Sequence, residues 1–189
     1  VRQWLFERKC SMTKKQQAAL QRIINRETSR NNENGVKDHG NFVLGGVHPV
    51  EDGYVITDGY VAVYYHQKPE GFADASQVDS LGRVIMNERN NGNHTLIEEK
   101  FPLDDWKKLA RQAERNGTTA RVTIGPAQDT DFNPRLVVDA MEAIGTGALA
   151  YLGRIPNARN STLLIYPKNW MDNPDSCSFA LVLPLRRHK

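Results

Sequence analysis

The stretch that decides the fold class is Gly53-Tyr54-Val55-Ile56-Thr57-Asp58-Gly59-Tyr60-Val61-Ala62-Val63-Tyr64-Tyr65-His66. Two short runs rich in Val, Ile and Tyr flank Asp58-Gly59. Glycine takes a positive φ at no steric cost, so Asp-Gly between apolar runs predicts a hairpin turn between strands 53–57 and 61–66. A hairpin is antiparallel by construction, which sets the sheet apart from the parallel, doubly wound kind.

Upstream, residues 41–47 read as a further strand, with Gly45-Gly46 and Glu51-Asp52-Gly53 as punctuation. Residues 13–29 predict a helix. Thr13 can cap it, Gln16 stands three positions on as in a capping box, and Leu20, Ile23 and Ile24 form an apolar face. Lys15, Arg22, Arg26 and Arg30 are spaced seven, four and four apart and stack as a separate basic stripe. Such a stripe is either a solvated polar face or a helix laid along a phosphate backbone. Residues 30–40 read as a loop.

Downstream, residues 67–117 change character and read as an insertion. Leu81 to Met86 suggests a strand, residues 87–93 a polar tip, and Pro102 to Asn116 a helix. That helix has Asp104 and Asp105 in its first turn and a Trp106, Leu109, Ala113 stripe. Residues 119–125 alternate as a strand. Asn133 then caps a helix with Pro134 at its first position, Leu136, Val137, Ala140, Met141 and Ile144 on its buried face, and Gly145 at its end. Three strands follow, at 148–154, 162–166 and 178–185. Short helices mixed with antiparallel strands make an α+β fold.

At 189 residues, 39% hydrophobic and 25% charged, the chain is expected to be a soluble globular domain over 13–189. Residues 1–12 read as a loosely attached leader, since Met12 would serve as a natural start. No apolar run approaches the roughly 20 residues that span a bilayer, and residues 1–10 resemble neither a secretory signal nor a transit peptide. Cys10 and Cys177 have no metal or disulfide spacing. A cytoplasmic location with reduced thiols follows. The formal charge of +3 is small but uneven: residues 1–30 hold eight Lys and Arg against Glu7 and Glu27. The nucleotide-binding, zinc-protease and serine-hydrolase motifs are absent, and the histidines are scattered. Asp104-Asp105 and Asp129-Thr130-Asp131 read as helix-start and turn residues rather than as a metal or acid–base pair. The expectation is a protein that is not an enzyme, with no cofactor, no bound metal and no membrane partner.

Three segments then matter together. Val55 to Ala62 resembles the T-D-G-(H/Y)-R-L-A signature of bacterial DNA sliding clamps, the β subunit of DNA polymerase III. Phe132-Asn133-Pro134-Arg135-Leu136-Val137-Val138-Asp139-Ala140-Met141 is similar to that family's F-N-x-x-Y-L-L-D-A-L helix start. Phe179 to Arg186 is similar to its closing Y-x-x-M-P-M-R-L strand. The resemblance covers residues 13–66 and 118–187. It implies a clamp-like domain, two main helices on a curved antiparallel sheet, with 67–117 as an inserted helical segment. It implies a DNA-replication accessory function, binding DNA non-specifically through Lys15, Arg22, Arg26, Arg30 and Arg135. In a homo-oligomeric ring, Thr57, Gly59, Tyr60 and Val61 of one copy and Leu181, Leu183 and Leu185 of another would form a pocket for polymerase or other replication proteins. Clamp subunits carry two or three such domains where this chain has one, and Val61 stands where the motif has Arg. Plain strand packing is the alternative for the pocket residues. The alternative for the whole is a clamp-fold protein–protein interaction module that does not bind DNA.

Overall fold

A computed structural model describes residues 12–33, 45–90, 93–125, 130–154, 161–173 and 177–185. In chain order the elements are α1 (Lys14–Glu33), β1 (His48–Val50), β2 (Gly53–Thr57), β3 (Val61–Tyr65), α2 (Asp79–Asn90), β4 (Asn93–Ile97), α3 (Leu103–Arg115), β5 (Val122–Ile124), β6 (Thr130–Phe132), α4 (Pro134–Ile144), β7 (Leu149–Arg154), β8 (Thr162–Tyr166) and β9 (Phe179–Val182). Seven strands form one antiparallel sheet in the order β1-β2-β3-β9-β8-β7-β4, and β5 pairs with β6 separately. The fold is α+β, as the sequence indicates.

The sheet is neither closed nor curled, in contrast to the expected curved one. Closure would require β1 to meet β4, and these lie at opposite edges.

Alternation along the strands divides the core in two. Ile56, Val61, Val63, Leu152, Leu163, Ile165, Ala180 and Val182 face α1 and α4, joined by Leu20, Ile23, Val137 and Ala140. Val55, Ala62, Tyr64, Tyr151, Leu164, Tyr166, Phe179 and Leu181 face the other way, where Ile85 of α2 packs on them. α1 and α4 pack side by side on the sheet, and α3 packs on α4. The ends of α1 and α4 carry the expected chemistry. Gln16 N donates to Thr13 Oγ1, Thr13 N donates to Gln16 Oε1, Arg135 N donates to Asn133 Oδ1, and Gly145 closes α4 at φ 116°.

Leu81 to Met86 is helical rather than extended. A short apolar run does not distinguish the two periods, and here Leu81 and Ile85, four apart, turn inward while Val84 is exposed. Gly82 is a close-approach residue: a Cβ there would lie 2.8 Å from Val50 Cβ, so a larger side chain would push α2 off β1. The polar tract 87–93 supplies the end of α2 and the start of β4. The segment expected as an insertion therefore contributes α2 across the second face, β4 as an edge strand, and α3. The first helix runs four residues past its expected end, to Glu33. The strand expected at 41–47 falls largely outside the described residues, and the strand at β1 begins at His48. Of the expected leader 1–12, residues 1–11 also lie outside the described ones, while Met12 packs partly buried against the core rather than being loosely attached. Among the described residues no helix is long and apolar enough to cross a membrane.

Candidate functional site

The basic stripe of α1 faces carboxylates of its own chain. α1 and α4 run antiparallel, so residues four apart on one meet residues three apart on the other. Arg22 Nε donates to Asp139 Oδ1 at 2.6 Å and its Nη2 to Glu142 Oε2 at 2.6 Å. Arg26 donates from Nη1 to Asp139 Oδ2, and from Nε to Asp58 Oδ2 at 2.7 Å. Lys107 of α3 reaches Glu142 Oε1 at 2.6 Å, with Lys15 at 3.5 Å from the same oxygen. Asp58, Asp139 and Glu142 are all buried. Three carboxylates thus tie α1, α3, α4 and the β2–β3 turn into one ionic lattice.

Electrostatics agree with that geometry. Burial opposes the charge on Arg22, but Asp139 and Glu142 outweigh it and hold the guanidinium above its ordinary pKa. The Lys107 ammonium is raised chiefly by its hydrogen bond to Glu142. Burial pushes the Glu142 carboxyl up, but Lys107 and Arg22 together pull it below its usual range.

The β2–β3 turn stands directly on this lattice. Asp58 Oδ1 accepts from the backbone N–H of Tyr60 and Val61, both at 2.9 Å, while its other oxygen takes Arg26. Thr57 Oγ1 donates to Val61 O at 2.7 Å and accepts from Gly59 N. Gly59 sits at φ 86°, where a side chain would be strained. So the Thr-Asp-Gly triplet is explained locally: it closes a hairpin and locks it onto α1.

β3 and β9 are neighbours in one sheet, with Val61 opposite Val182 and Ala62 opposite Leu181. Leu183 N donates to Tyr60 O at 2.8 Å. The two motifs expected to meet between copies of a ring therefore meet within one chain. Of the seven residues assigned to a peptide pocket, Thr57, Val61 and Leu181 are buried as ordinary strand packing. Gly59 is exposed and Leu185 half-buried. Tyr60 and Leu183 remain as large apolar side chains at the surface, 50% and 37% exposed.

The five expected DNA contacts are dispersed. Lys15 is exposed. The Arg22 and Arg26 side chains are 39% and 17% exposed and ion-paired. Arg135 sits at the opposite end of α4 from Lys15 and pairs with Glu114 of α3 at 2.9 Å. The side chain of Arg30 lies outside the described residues. Asp104 and Asp105 occupy the first turn of α3 and pair with Lys107 and Lys108. Asp131 accepts from Thr123. Asp129 lies outside the described residues, among which no three His, Cys, Asp or Glu gather as a metal site.

Asp58, Asp139 and Glu142 were not singled out from sequence, although Asp58 and Asp139 lie inside the quoted motifs. A second buried pair was also missed. His48 Nδ1 lies 2.9 Å from Ser76 O and its Nε2 lies 3.2 Å from Glu27 Oε1. Both ring nitrogens face acceptors, which favours the doubly protonated ring. Burial opposes that charge, yet the Glu27 and Ser76 contacts leave the His48 pKa above its ordinary value.

Two concavities flank the lattice. One of about 630 Å³ opens between the start of α1, residues 97–103 and residues 145–150. The other, of about 300 Å³, lies between α1, α3 and α4. Comparison with family models, curated proteins and solved structures found no match for this chain.

Proposed function

We propose that this protein is a non-catalytic tethering module, related in plan to one sliding-clamp domain, that holds partner proteins by an apolar peptide contact rather than gripping DNA with α1. The observation that carries this is the surface where the Asp58-Gly59-Tyr60 turn meets the end of β9. There Tyr60 and Leu183 stand side by side, large, apolar and exposed, on a backbone fixed by the Leu183 N to Tyr60 O hydrogen bond and by Asp58. A rigid platform with two adjacent apolar side chains suits an extended peptide bearing Leu or Phe side chains, because little ordering entropy is lost on the protein side. Against a DNA grip, Arg22 and Arg26 already neutralise buried carboxylates. Withdrawing Arg22 to a phosphate would break its pairs with Asp139 and Glu142, and withdrawing Arg26 its pairs with Asp58 and Asp139.

Synthetic peptides carrying two neighbouring Leu or Phe side chains, titrated by fluorescence anisotropy, test this. Binding to the wild type that is lost in Tyr60→Ser/Leu183→Ser is the expected result. Equal binding to the double variant, or none to the wild type, would overturn it. So would duplex DNA binding that weakens steeply with salt and disappears in Lys14→Gln/Lys15→Gln, the exposed cations at the start of α1.

A further inference from the structure

The two edges of the seven-stranded sheet differ. At β1, residues 73–78 run alongside. Val47 N donates to Ala73 O and Ala75 N to Val47 O, both at 2.9 Å, and Val78 N donates to Pro49 O at 3.3 Å. Pro49 itself removes a donor from that edge. At β4, the only backbone partner among the described residues is β7, on the inner side. Its sequence, Asn93-His94-Thr95-Leu96-Ile97, has no Lys, Arg, Asp, Glu or Pro to discourage pairing. Asn93, Thr95 and Leu96 are exposed, Leu96 at 42%. Among the described residues nothing covers this neutral edge, and an uncovered edge offers its N–H and C=O groups to another strand; proteins ordinarily block such an edge unless it is used.

We infer that β4 is a self-association edge, which pairs antiparallel with β4 of a second copy about a two-fold axis at Thr95. This is independent of the peptide contact at Tyr60 and Leu183. The register places Thr95 opposite Thr95, Leu96 opposite His94 and Ile97 opposite Asn93, so all five residues are paired. Thr–Thr is among the favourable cross-strand pairs. Glu98 and Glu99 of each copy fall beyond the start of the other's β4, so the acidic pairs do not confront one another. Burial holds the His94 ring below its ordinary pKa, so it faces Leu96 uncharged. A two-fold pairing closes with two copies and leaves no further open edge at β4. Five residues a side fall short of the roughly 1,200 Å² of a stable interface, so the dimer is concentration-dependent.

The test is sedimentation velocity across a concentration series, together with disulfide trapping in a Cys10→Ser/Cys177→Ser background. The wild type should shift from monomer to dimer with concentration. Leu96→Lys, with an unchanged far-UV spectrum, should weaken association about tenfold or more. Thr95→Cys should trap a dimer under mild oxidation, because facing residues of an antiparallel pair lie within disulfide reach. Asn93→Cys should not, because its two copies would be about 13 Å apart along the strand. A strict monomer at every concentration would overturn the inference and leave the edge to an extended segment of another protein. Undiminished association in Leu96→Lys, or equal trapping at positions 93 and 95, would overturn it as well.

Discussion

On one face of the sheet, α1 and α4 are fastened by Arg22 and Arg26 bridging to Asp58, Asp139 and Glu142. On the other, α2 rests on rings. Tyr64 and Phe179 have centroids 5.2 Å apart, Tyr166 stacks on Trp170 at 4.6 Å, and Arg89 of α2 lies over Phe179 at 5.3 Å. Ring packing fills space and tolerates small shifts in alignment. Forked guanidinium pairs fix one register between two helices, because a slip of one residue breaks every bond at once. The ionic face therefore specifies how α1 sits, and the aromatic face supplies bulk burial.

The largest effects should come from breaking each face once. Phe179→Ala removes a fully buried ring and should cost about 3–5 kcal/mol in urea unfolding. Asp139→Ala should cost a similar ~3–5 kcal/mol, because it leaves Arg22 and Arg26 without their shared buried partner. The two differ in how they can be rescued. Replacing Arg26, Asp58 and Asp139 together with Met, Asn and Leu should restore much of what Asp139→Ala loses, since no buried charge is then stranded and an amide oxygen at position 58 still accepts from the Tyr60 and Val61 N–H groups. A triple variant less stable than Asp139→Ala would mean that the lattice stabilises outright rather than specifying register.

Acid should discriminate between the faces next. The folded pKa of Glu142 is depressed, so its contribution is complete above the ordinary 4.5 and is lost as pH falls through the lower folded value. Lys107→Met removes the strongest opposing charge, so the acid transition should begin at higher pH. Phe179→Ala should lower stability equally at every pH. An unchanged acid transition in Lys107→Met would show that Lys107 does not hold the Glu142 carboxyl down.

A smaller effect of opposite sign belongs to His48, which joins α1 to β1 through Glu27. Its folded pKa is raised, so its stabilisation is complete below 6.5 and disappears as pH climbs through the folded value. Urea midpoints of the wild type should therefore fall above pH 6.5 relative to those of His48→Gln. Parallel profiles would show that the ring does not change charge on folding.

The sequence carries some of these features plainly and hides others. α4 is legible because its signals are local: Asn133 as cap, Pro134 at the first position, Gly145 at the end. The β2–β3 hairpin is legible for the same reason. α2 is not, because Leu81-Gly82-Arg83-Val84-Ile85 suits either period until Val50 and Phe179 are in place beneath it. The arginines of α1 are visible as a stripe, and Asp139 and Glu142 are visible three apart on α4. Their pairing is not, since the partners lie 113 to 120 positions away and only the antiparallel docking of α1 on α4 brings them together. A basic stripe read alone suggests an external phosphate; next to α4 it is half of an internal contact.

The smallest stability effect should fall where the two faces end, at Tyr60 and Leu183. Tyr60 is half exposed and Leu183 37% exposed, and their segments are joined by a backbone hydrogen bond that serine preserves. Asp58, which holds the turn to Arg26, is untouched by the change. Tyr60→Ser/Leu183→Ser should therefore lower stability by no more than about 1 kcal/mol per site, the usual size of a point change outside the core. A loss above about 2 kcal/mol for the pair would show that these side chains pack into the fold. Their exposure would then support no contact with a partner. A stable double variant gives any loss of peptide binding a single cause, the removal of two apolar side chains from an otherwise unchanged platform.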